Sequence, residues 1–136
     1  MRVTPPDLEL WLVGHLRRQL AELDLGRVTV TNKEPADYTA QAPLIVIRND
    51  GGPALPPNQY DWQIGVSVLA GTPADDQPAN SLARHTLAIL TDPAIAWADQ
   101  SPITLVAAAN GPMRVEDEQP VARRYLTIEY HLVGAW

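Results

Sequence analysis

The chain has 136 residues, with ten basic and sixteen acidic side chains for a formal net charge of −6, and 46% of it is hydrophobic. That length and composition fit a single domain over residues 1–136 with one sizeable core and argue against wholesale disorder. Having no cysteine excludes disulfides, zinc–thiolate sites and a cysteine nucleophile, and the acidic balance speaks against a dedicated nucleic-acid binder, whose affinity comes from clustered cations.

Thr4-Pro5-Pro6-Asp7 reads as a helix start, with Thr at or near the N-cap, proline in the first turn and an acid favoured by the helix dipole. The helix is expected to run to about Asp24 and to be stopped by Gly26. Leu8, Leu12, Val13, Leu16, Leu20 and Leu23 share its apolar arc, with Glu9 and Gln19 as polar exceptions. Strands follow at Arg27–Thr31 and Leu44–Arg48. The continuous run Leu44-Ile45-Val46-Ile47 predicts a central strand covered on both faces. Asn49–Asn58, with two glycines and three prolines, predicts a loop without regular structure.

Asp61–Ala70 alternates, placing Trp62, Ile64, Val66 and Val68 on one face and Gln63, Gly65 and Ser67 on the other. Asp75-Asp76-Gln77-Pro78 opens a second helix, whose inner face is Ala79, Leu82, Ala83, Thr86, Leu87 and Leu90. Asp92-Pro93 ends it, and Ala94–Pro102 reads as irregular. Ile103–Asn110 and Val121–Val133 are the last strands, joined across Gly111–Pro120 with Glu116-Asp117-Glu118 at the turn. In the final strand Leu126, Ile128, Tyr130 and Leu132 face one way, and Tyr125, Thr127, Glu129 and His131 the other. The order α-β-β-β-α-β-β predicts an α+β fold, a mixed or antiparallel sheet packed with two helices.

Chemistry is sparse. His15, His85 and His131 stand on different elements without metal-ligand spacing, and Ser67, Ser81 and Ser101 lack a nucleophile-elbow context. No phosphate-cradling glycine motif is present. Asp75-Asp76 read as helix N-terminal acids, Arg17-Arg18 and Arg123-Arg124 as solvated basic doublets or as salt bridges to a partner or to DNA. Trp97 and Trp136 either fold back on the core or serve an interface, where tryptophan is enriched. No catalytic residue, cofactor or metal is expected. No apolar run is long enough to span a membrane, and the acids Asp7 and Glu9 break any signal-peptide pattern, so synthesis is expected to be intracellular.

The opening helix Asp7–Val13, a Pro/Gly loop leading into Tyr60–Gly71, the helix Ala79–Leu90 and the long closing strand Arg124–Tyr130 together resemble the tail terminator (tail completion) proteins of long-tailed bacteriophages. The resemblance implies a non-enzymatic ring, typically a homohexamer, that caps the tail tube, ends its polymerisation and joins tail to head. Its implied partners are further copies of itself, the tail tube protein and a head-completion or connector protein, with DNA passing through unheld. Its implied location is the virion tail, after assembly in the host cytoplasm. Glu116, Asp117, Glu118, Trp97, Trp136, Arg123 and Arg124 are the candidate interface or lumen residues; an acidic lining would let DNA pass, since each phosphate neutralised by a cation adds affinity. The alternatives are another neck or connector component, and a small-ligand-binding regulatory α+β domain with a pocket between sheet and helices. An enzyme built on dispersed residues such as His85, Asp61 and Arg84 is the reading with least support.

Overall fold

A computed structural model describes residues 2–36, 38, 42–116 and 120–135. The elements run α1 (Leu8–Glu22), β1 (Thr29–Thr31), β2 (Leu44–Gly51), β3 (Ala54–Leu55), β4 (Gln59–Ala70), α2 (Gln77–Thr91), a 3₁₀ turn (Pro93–Trp97), β5 (Ile103–Val115) and β6 (Ala122–Val133). The sheet has the order β1-β2-β4-β6-β5, with β3 paired to β4; the β1–β2 pair is parallel and the others antiparallel. This is an α+β fold, with one strand more than the sequence predicts.

The core lies between the sheet and the two helices. Ile64 pairs with Ile128, Val66 with Leu126 and Tyr60 with Leu132, so alternate residues of β4 and β6 form one apolar face. Leu8, Leu12, Leu16 and Leu20 of α1 and Leu82 and Leu90 of α2 close over it. The opposite sheet face stays largely polar, the usual division in an antiparallel sheet with one solvated side. There a small cluster of Leu44, Leu69 and Val121, with Val46 and Tyr38 against it, gives β2 its second cover, and β2 lies inside the sheet as expected.

Several boundaries differ from the sequence reading for identifiable reasons. Asp7, not Thr4, caps α1, its carboxylate accepting the Leu10 amide at 3.1 Å, and the helix stops at Glu22, so Leu23 lies outside it and is exposed. The predicted loop Asn49–Asn58 instead carries the end of β2 and all of β3, because Ala54 and Leu55 reach back to Tyr60 and Gln59. Ala94–Pro102 is ordered by the Pro93–Trp97 turn, where Asp92 Oδ1 accepts the Ala94 amide at 2.9 Å. β5 does not end at Asn110; it passes through Gly111 and a cis Pro112 to Val115, opposite Arg123. Leu87 of α2 is half-buried, in contrast to the buried Ala79, Leu82, Ala83, Thr86 and Leu90.

Gly65 shows why a residue with no side chain stands mid-strand. A Cβ there would collide with the Tyr125 hydroxyl and meet Arg48 Nη2 at 3.0 Å. The missing side chain lets the Tyr125 ring lie across β4, where its hydroxyl accepts from Arg48 Nη2 at 2.9 Å and the guanidinium sits 6.0 Å from the ring centre. Gly65→Val should evict the ring and lower stability by about 1–3 kcal/mol. Chemical denaturation checks it, with far-ultraviolet circular dichroism confirming that the fold persists; an unmoved midpoint would mean that the ring has somewhere else to go at no cost.

Candidate assembly surfaces

The basic doublet at the start of β6 is a pair of anchors and not a solvated face. The inward parity of Leu126, Ile128 and Tyr130 extends back to Arg124, which is 6% exposed and points toward the helix layer. Its Nη2 donates to Asp76 Oδ2 at 2.7 Å, and Nη1 donates to the Arg123 carbonyl at 3.2 Å. Asp76 stands at the N-cap of α2 but makes no capping bond, because its carboxylate also takes Arg114 Nη2 at 3.2 Å. The hydrogen bond from Arg124 is the main reason the Asp76 carboxyl titrates below its ordinary value, with the charges of Arg124 and Arg114 acting the same way. Arg123, on the opposite face, reaches Glu34 Oε1 at 2.8 Å. Asp76, Arg114, Glu116, Arg123 and Arg124 border an open recess of about 330 Å³. Each guanidinium in it already has a carboxylate, so the recess is a fastening between α2, β5 and β6.

The remaining candidates divide cleanly. Glu116 is exposed at the end of β5, while Asp117, Glu118 and Trp136 lie outside the described residues. Trp97 is 89% exposed at the end of the 3₁₀ turn. Of the other aromatic groups on the helix side, Trp11 Nε1 donates to the Asp99 carbonyl at 3.1 Å and its ring stacks on His15 at 4.8 Å. Burial pushes the His15 imidazole down, and the charge of Arg18 adds to that, against the opposing pull of Asp92. His131 Nε2 lies 3.6 Å from Asp61 Oδ1 on the open sheet face, and His85 is exposed on α2. Among the described residues no group of three or more acids and histidines could hold a metal ion, and no helix is long and apolar enough to cross a membrane.

The surface that sequence reading missed is β5 itself. It is a 13-residue strand at the edge of the sheet, paired among the described residues only with β6, and most of its side chains are exposed, including Leu105, Met113 and Val115. Edge strands are normally short or guarded by charges, because their free amides and carbonyls recruit other chains. From Ile103 to Met113 this one carries no charged residue. The opposite edge is β1, only three residues long, and its central carbonyl is closed: Val30 O accepts both Arg17 Nε at 3.1 Å and Arg17 Nη2 at 2.7 Å. The alanine-rich, bulged β5 lacks the apolar alternation that would have announced its length in the sequence. No protein-family model matches the chain, and no curated protein matches it closely enough to supply a relative.

Proposed function

We propose that this chain is a structural subunit that closes into a ring, and that the ring is the terminator of a long phage tail, capping the tube and joining it to the head. The observation that carries the assembly reading is the long open edge of β5, 13 residues of which the first eleven, Ile103 to Met113, carry no charge, in a subunit of net charge −6. A protein of that charge repels its own copies over most of its surface, so a long neutral edge is where they can approach. The 89% exposed Trp97 supports the same reading, since tryptophan is the residue type most enriched among interface anchors. The sequence resemblance supplies the more specific part: the six-fold ring, the tube and connector partners, and DNA passing through unheld. In this reading the exposed Glu116 marks the acidic turn that faces the channel or a neighbouring tail protein.

Light scattering and negative-stain imaging test it. The expected result is a closed ring of about six times the 14.9 kDa subunit mass, formed by the protein alone or on contact with tail tubes. A strictly monomeric protein, at high concentration and with tubes present, would overturn it.

A further inference from the structure

We infer that β5 of one subunit pairs with the free edge of β2, residues 47–51, in the next copy of the chain, so that the sheet runs on from subunit to subunit. The inference rests on the ring reading above and names the contact that closes it. β1 covers β2 only at Leu44, Ile45 and Val46, and beyond these no described strand lies on that side. Among the described residues the sheet therefore offers two stretches of open backbone, β5 and the last five residues of β2, besides the β1 edge that Arg17 closes.

Strand direction fits. β2 is antiparallel to β4, β4 to β6 and β6 to β5, so β5 runs opposite to β2. Laying the β5 of one subunit beside the β2 of the next then continues the same antiparallel alternation. Such a contact joins different surfaces, the heterologous type that generates rings. Charge fits as well. The only charges on the free stretch of β2 are Arg48 and Asp50, which bond each other at 2.6 Å, so a junction with the charge-free stretch Ile103–Met113 of β5 sets no like charges together.

The shape of β5 selects this partner over a second β5. Its register with β6 slips between Ile103 and Leu105, Val106 and Ala108, and Asn110 and Met113. Bulges twist a strand and spoil long ladders. A two-fold β5–β5 pairing would need a long, flat edge from both partners, whereas the short free stretch of β2 asks only for a short run such as Ala108–Asn110, which lies between two of the bulges.

A cysteine-free chain makes the test clean. Ala108→Cys on β5 and Asp50→Cys on β2 are both at exposed positions. Co-expressed as single variants and treated with a short thiol-to-thiol crosslinker, they should give a covalent dimer that neither variant gives alone. The double variant should give a ladder of covalent oligomers. Crosslinking of Ala108→Cys to itself would replace this junction with a two-fold β5 contact and overturn the inference. A ring that assembles normally with no crosslink in any combination would overturn it too, while leaving the ring reading intact. A double variant that folds but stays monomeric, beside an equally monomeric unsubstituted protein, would remove both.

Discussion

Leu90→Ala should be the most damaging single truncation of the helix layer, lowering stability by about 2–5 kcal/mol. Leu90 is fully buried in the last turn of α2, and its backbone carbonyl accepts the Tyr130 hydroxyl at 2.6 Å. That carbonyl belongs to the end of a helix, where carbonyls have no partner within the helix, and the Tyr130 phenol supplies one from the middle of the sheet. Burial raises the phenol's pKa far above its usual value, so it stays a donor at any ordinary pH. One residue thus contributes both apolar packing and the acceptor that fixes where α2 ends on β6. For a chain of this length the loss corresponds to a fall in melting temperature on the order of 10 °C. Tyr130→Phe keeps the ring but strands the carbonyl, and should cost about 1–3 kcal/mol. Leu87→Ala, at a half-buried position, should cost clearly less than Leu90→Ala. Equal losses at Leu87 and Leu90 would mean that Leu87 is covered by something beyond the single subunit.

What could be read from the sequence was what periodicity carries. Leu126, Ile128, Tyr130 and Leu132 alternate with polar neighbours, and the structure buries all four. The same parity reaches Arg124, so its inward direction was legible from spacing alone; what hid it was the expectation that arginines face water. Its partner was beyond reach, since Asp76 is 48 positions away and only the fold brings it close. Gly111-Pro112 is ordinarily a strand breaker and ends the predicted strand at Asn110, yet here a glycine at φ 103° takes the strand through a bulge and on to Val115. The open edge that the assembly reading depends on is a property of strand order, which short-range patterns do not encode. For Trp97 the sequence allows core or interface alike, and its exposure places it at the surface.

The Arg124–Asp76 pair leads to the other large effect, and its two halves should behave differently. Asp76→Asn or Asp76→Ala leaves a guanidinium that is 6% exposed without its carboxylate, and an uncompensated buried charge is among the costliest single defects a domain can carry. Arg124→Met removes that charge, fills similar space and leaves Asp76 with the exposed Arg114, so it should cost under about 1.5 kcal/mol. The order of stability should therefore be native, then Arg124→Met, then Asp76→Ala by a wide margin. Acid should reproduce the Asp76 defect reversibly. The Asp76 carboxyl titrates below its ordinary value of 3.8 in the folded chain, so the stability it contributes is complete above that value and is lost as pH falls through the lower folded value. Thermal melts from neutral pH down to about pH 2 check this. The native protein should lose stability in that acid window more steeply than Arg124→Met, which has already lost the principal cause of the shift. Parallel acid profiles for the two proteins, or an Asp76→Ala chain as stable as Arg124→Met, would show that Arg124 finds adequate company without Asp76 and that α2 is held to the sheet by its apolar face alone.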